Sequence, residues 1–241
     1  MTKKFNKTRL AVISGLALAA SLTSSFASAE ISGEIGVTND YRFRGVSQTA
    51  GDPAIQGSLD YSHDSGFFAG AWASNVDFDE PDYSGPAIEL DLYAGYAGEI
   101  NDDLTYDVTL YRYNYLSDSD LNYFEVTAGM DFSGFRVAYW YTNDYGGSDL
   151  AMQYIETNYS YPFAENWSLD LHVGYNFGEA TDLDNDGYDT YIDYSFGVST
   201  EISSVSLSLA WLATTIDNDL GNDSGLYETS GKIMIAASYA F

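Results

Sequence analysis

The chain has 241 residues, with 36 Asp and Glu against nine Lys and Arg, a formal net charge of −27, and no cysteine. So acidic a chain lacks the basic footprint that nucleic acid demands, and no nucleic acid is expected among its partners. Without cysteine, disulfides, zinc–thiolate centres, iron–sulfur clusters and thiol catalysis are excluded.

The first 29 residues read as a secretory signal peptide. Lys3, Lys4, Lys7 and Arg9 form a positive start, Leu10 to Leu22 an apolar stretch, and Ala27-Ser28-Ala29 a small-x-small cleavage site. The stretch is too short for a membrane-spanning helix. Four of the nine basic residues lie in it, leaving Arg42, Arg44, Arg112, Arg136 and Lys232 against all 36 acids in one domain, residues 30–241.

From there the sequence alternates with period two, so that each segment carries one apolar and one mixed face. The first sets Ile31, Ile35, Val37, Tyr41 and Phe43 against Glu34, Asp40, Arg42 and Arg44; the second sets Ile55, Leu59 and Tyr61 against Gln56, Ser58 and Asp60. The third, Phe67 to Phe78, has Phe68, Trp72, Val76 and Phe78 in phase opposite the small Ala69, Ala71 and Ala73. Nine more follow, including Ile88 to Tyr96 with Glu89 and Asp91 on the polar side, and Leu169 to Phe177 with Asp170 and His172 there. The last runs from Lys232 to Phe241, with Ile233, Ile235, Ala237, Tyr239 and Phe241 on one face.

Short connections such as His63 to Gly66 and Asp131 to Gly134 alternate with longer Asp-, Gly- and Ser-rich ones such as Gln48 to Pro53 and Gly178 to Asp189. A soluble β-sandwich shares the alternation. The regular short and long connections and the acids at mid-strand favour an all-β fold: a single transmembrane antiparallel up-and-down β-barrel of about twelve strands. An even strand number puts both termini on the periplasmic side of an outer membrane. The 22 tyrosines suit aromatic girdles at the membrane interfaces.

The segments GVTNDYRFRGVSQT (Gly36 to Thr49), GFFAGAWASNVDF (Gly66 to Phe78), IELDLYAGY (Ile88 to Tyr96), YRYNY (Tyr111 to Tyr115) and YIETNYSYP (Tyr154 to Pro162) resemble the TorF-family porins of Gram-negative bacteria. The resemblance spans the mature chain and implies an outer-membrane barrel. The terminal aromatic Phe241, with Tyr239 two residues before it, is similar to the signal that such barrels present to the assembly machinery. Expected partners are outer-membrane lipid, the secretion and barrel-assembly machinery, and small hydrophilic solutes.

With the apolar faces on lipid, the interior would be lined by Asp40, Arg42, Arg44, Asp60, Glu89, Asp91, Asp107, Glu125, Arg136, Glu156, Asp170, His172 and Asp193, together with Glu34 and Lys232. Acids outnumber bases, which predicts a cation-leaning passage. Arg42, Arg44 and Arg136 would form a short positive ladder within it. Arg112 falls on the lipid-facing phase, so it should lie away from the bilayer centre or follow a bulge.

No cofactor is required. Asp182, Asp184 and Asp186 before Gly187 match a calcium-loop spacing, although strands rather than helices flank them, so weakly bound calcium competes with an ordinary acidic loop. His172 should lie nearly opposite Asp193 and Ser195. That set suggests a hydrolase, but without a nucleophile motif a polar interior residue bonded to a carboxylate is favoured. The leading expectation is a non-enzymatic channel for passive diffusion of small hydrophilic solutes. A non-conducting barrel with acidic binding loops and a membrane hydrolase stand behind it.

Overall fold

The computed structural model describes residues 29–77, 87–181, 190–216 and 229–241. The signal-peptide reading falls on residues that lie outside this set, apart from Ala29, and so do Asp182, Asp184 and Asp186 of the acidic loop. Among the described residues, strands β1 (Glu30–Thr38), β4 (Ala54–Ser62), β5 (Phe67–Val76), β6 (Ala87–Asn101), β7 (Leu104–Tyr115), β8 (Tyr123–Phe132), β9 (Phe135–Thr142), β10 (Met152–Ala164), β11 (Trp167–Gly178), β12 (Tyr191–Ile202), β13 (Val205–Thr214) and β14 (Lys232–Ala240) form one antiparallel closed barrel. Two very short strands, β2 (Arg42–Phe43) and β3 (Val46–Ser47), pair only with each other.

Each barrel strand has two neighbours, so no row of backbone donors and acceptors is left at an edge. The seam joins β1 to β14, with Ile35 opposite Tyr239. Short turns link the strand ends on one side. Phe132 pairs with Phe135 across Ser133 and Gly134, both at positive φ (50° and 88°), the two-residue geometry that matches strand twist.

Alternation resolves into an apolar outside and a polar inside. Ile31, Ile55, Val108, Phe196, Ile235 and many similar residues stay exposed on the outer face. A belt this large is not tolerated by water, whereas lipid covers it without cost. Arg112 keeps the outward phase near the long-loop end of β7, its guanidinium carbon 4.5 Å from the Phe124 ring, and no bulge intervenes.

Two expectations fail. The first strand does not run on to Phe43. It stops at Thr38, which pairs with Ala54, and residues 39–53 turn into the barrel. Tyr41 is therefore buried inside rather than facing lipid, and Phe43 packs against that interior core. In β5 the faces are inverted. Ser74 and Val76 are buried, Trp72 meets the Tyr41 ring edge-on at 5.3 Å, and Ala69 is exposed outside. Bulk on that strand serves the interior, because the inserted segment supplies something for it to pack against.

Phe241 closes the seam. Its amide and carbonyl exchange hydrogen bonds with Gly33, each 2.9 Å, and its ring covers Gly33 so closely that a Cβ there would come within 2.7 Å of it. Deleting Phe241, or replacing it with Asp, removes these bonds or puts a charge on the outer face. The expected result is loss of most of the folded species with secretion intact, read by heat-modifiable gel mobility and membrane fractionation. Normal folded levels would refute it.

Candidate functional site

The interior has two zones. Toward the short turns its side chains are partly open: Glu34 is exposed, and Asp60, Asp107, Asp131, Arg136 and Asp170 are half-buried. Toward the long loops it is filled, with Glu89, Asp91, Glu125, Asn176 and Asp193 at 2% exposure or less. The filler is the segment 39–53.

The segment folds as a hairpin because its tip, Arg44-Gly45, has positive φ at both residues (49° and 83°). This two-residue turn suits Asn or Asp followed by Gly. At Gly45 the backbone nearly touches the far wall, where a Cβ would strike Thr214 and come within 2.9 Å of Asp193. Arg44 is not a residue type favoured there, and the left-handed form costs about 1–2 kcal/mol. Its ion pair supplies the compensation. Nη2 lies 2.7 Å from Glu125 Oε1, with the two side chains 3% and 0% exposed. Removing one partner of such a buried pair costs about 3–5 kcal/mol, more than the strain of the turn, so the seated arrangement is favoured over one with Glu125 left covered and alone. Burial works against the Arg44 charge, but Glu125 overrides it and holds the guanidinium well above its ordinary pKa.

The hairpin base is tied down separately. Asp40 lies 2.6 Å from Arg42 Nε and 3.3 Å from Lys232 Nζ, and it accepts from Ser47 Oγ at 2.5 Å. Lys232 also donates to the Gly51 carbonyl at 2.8 Å, and the Asp77 amide to the Gln48 carbonyl at 2.8 Å. The expected arginine ladder is therefore absent. Arg42 and Arg44 belong to the hairpin, while Arg136 sits near the short turns, 2.8 Å from Asp107 and 2.6 Å from Asp131.

The remaining acids are held mostly by neutral groups. Glu89 accepts from Tyr115 at 3.3 Å and Asp170 from Ser160 at 2.7 Å, and Asp60 from Tyr93 and from Ser58. Glu156 accepts from Trp140 Nε1 at 3.0 Å and from Asn158 at 3.1 Å. Asp91 is fully buried, and neither of its carboxylate oxygens meets a hydrogen-bond partner among the described residues.

His172 bonds Asp193 at 2.7 Å, Asn158 at 2.7 Å and Tyr154 at 3.1 Å. Ser195 stands opposite it in register, but none of these bonds goes to Ser195. The arrangement is that of a polar interior histidine paired with a carboxylate. Among the described residues no group of three or more His, Asp and Glu could hold a metal ion.

Sequence reasoning missed the tyrosines of the interior. Tyr113 stacks on Tyr123 at 4.5 Å, Tyr111 lies 5.3 Å from Trp140, and Phe43 from the hairpin lies 6.0 Å from Tyr113. The available signal was their phase. Tyr93, Tyr111, Trp140 and Tyr154 all share the polar side of their strands, a poor position for an interfacial girdle.

The model of a family described as "Bacterial protein of unknown function (Gcw_chp)" matches residues 22–241. Among solved structures the barrel is similar to the KdgM porin, at 9% identity and TM-score 0.54, covering 89% of this chain and 99% of that one. The same porin in complex with disordered oligogalacturonate gives a TM-score of 0.55 at 9% identity, with 89% and 99% covered. The NanC porin gives 0.53 at 10% identity, with 87% and 99% covered. No curated protein sequence matches the chain.

Proposed function

The chain belongs to the Gcw_chp family, whose description assigns no function, and we propose that it is an outer-membrane channel for passive diffusion of small hydrophilic solutes, with a preference for cations. The barrel shared with the KdgM and NanC porins supports the channel, as does the resemblance to TorF-family porins. The apolar outer belt supports the membrane, with the short turns and both termini on the periplasmic side and Tyr239 and Phe241 offered to the assembly machinery.

The observation that carries the charge preference is the interior balance. Toward the short turns the half-buried Asp60 and Asp170 have only neutral hydrogen-bond partners among the described residues, while Arg44 and Arg136 are each consumed by carboxylates. One structure of this fold holds oligogalacturonate, an anionic sugar chain. An interior of uncompensated carboxylates repels such a ligand and concentrates cations.

The inserted hairpin favours a second reading, a barrel that does not conduct. Purified protein in a planar bilayer separates the two. Stepwise currents with a reversal potential toward the cation value in a salt gradient are expected. Absence of current from protein with intact heat-modifiable mobility would support the second reading.

A further inference from the structure

The tip of the hairpin places a single guanidinium against a fitted box on the barrel wall. Arg44 Cζ lies 4.6 Å from the ring centre of Tyr154, 5.8 Å from that of Trp140 and 5.9 Å from that of Tyr145, while Glu125 takes the charge. Aromatic faces attract cations, and a planar guanidinium also stacks on them.

Three members of the box are fixed by partners other than Arg44. Tyr113 donates to the second oxygen of Glu125 at 3.1 Å, Trp140 donates to Glu156 at 3.0 Å, and Tyr154 donates to Asp193 at 3.2 Å. The box is thus preorganised and does not depend on the hairpin for its shape. Arg44 also fills it incompletely. Its Nε and Nη1 are buried and meet no hydrogen-bond partner among the described residues, and it reaches the box only from a left-handed backbone.

We propose that Glu125, Trp140, Tyr145 and Tyr154 form a binding site for small guanidinium-bearing solutes, and that Arg44 is a tethered stand-in for them. A solute guanidinium drawn into the acidic interior exchanges with Arg44 at Glu125. Being free of the hairpin backbone, it can orient its remaining N–H groups toward water or toward neighbouring carboxylates. The exchange releases the hairpin tip, so the solute favours its own passage. Passage rests on the channel reading above; binding does not.

The test uses the full chain in detergent micelles with Arg44→Ala, titrated with methylguanidinium while tryptophan fluorescence is followed. Trp140→Phe in the same background assigns the signal to the box. A saturable change is expected, lost with Glu125→Gln and absent with urea, which has the shape but no charge. Wild type should respond about tenfold more weakly or less, because Arg44 competes, and methylammonium should also be weaker. If Arg44→Ala does not give the folded gel band, Arg44→Gln keeps the bulk and serves instead.

No saturable response from a folded variant, or an equal response after Glu125→Gln, would overturn the site. So would equal responses to methylguanidinium and urea. Parallel bilayer currents keep the two readings apart. Saturable binding without current removes the channel alone, and current without saturable binding removes this site alone.

Discussion

Replacing residues 40–53 by a single glycine is expected to raise single-channel conductance severalfold. The change leaves Asn39-Gly between Thr38 and Ala54, which already pair, and Asn-Gly is the connection that tight hairpins favour. The barrel therefore keeps its register while the material filling its long-loop half is gone. Glu125 loses Arg44 in this variant, but it gains water, so the penalty of an unpaired buried charge does not arise. Arg44→Ala is the contrasting case. There the hairpin remains and Glu125 stays covered beside it without its cation. A loss of about 3–5 kcal/mol corresponds to a shift of roughly 10²–10⁴ toward the unseated hairpin, so channel openings should become more frequent rather than larger. Unchanged conductance in the glycine variant, with the folded gel band intact, would show that the hairpin does not limit the current.

The barrel was legible because bilayer physics imposes a simple code: outward residues must be apolar and inward ones need not be. That code placed Ile31, Ile55, Val108 and Ile235 outside and Glu89, Asp91, Glu125 and Asp193 inside. It failed where the interior is itself apolar. Trp72 and Tyr41 satisfy the outward rule, yet they pack on each other within the barrel. Period two cannot tell a lipid-facing aromatic from one that faces an inserted segment. The hairpin had one local sign, Arg44-Gly45 as a turn, but the alternation of Tyr41, Phe43 and Val46 with Arg42 and Arg44 imitates a continuing strand. The partners of Arg44 come from β8, β9 and β10, about 80 to 110 residues further on, and only barrel closure brings them to it. Of the first segment that carries the family resemblance, Gly36 to Thr49, the part from Asn39 onward leaves the wall.

Glu89→Gln with Asp91→Asn should lower cation selectivity with little loss of stability. Both residues point inward from one strand, two positions apart, so once the hairpin is unseated and water enters, their fields add at one level of the passage. Asp91 has no hydrogen-bond partner to lose, and Gln at position 89 can still accept from Tyr115. Replacing two buried carboxylates by amides also removes the cost of burying acidic groups, so the folded band should persist to higher temperature or remain unchanged. This separates the pair from Glu125, where neutralisation breaks an ion pair and unseats the hairpin. The selectivity loss should be largest in dilute salt. The screening length is about 30 Å at 0.01 M and about 3 Å at 1 M, where each carboxylate acts only on ions beside it. Reversal potentials in a fixed salt ratio, measured at low and high total salt, give the comparison. Anion selectivity in the wild type would defeat the electrostatic argument. A wild-type preference for cations that the double variant retains at low salt would move the selective level away from Glu89 and Asp91, toward the half-buried acids Asp60 and Asp170 near the short turns.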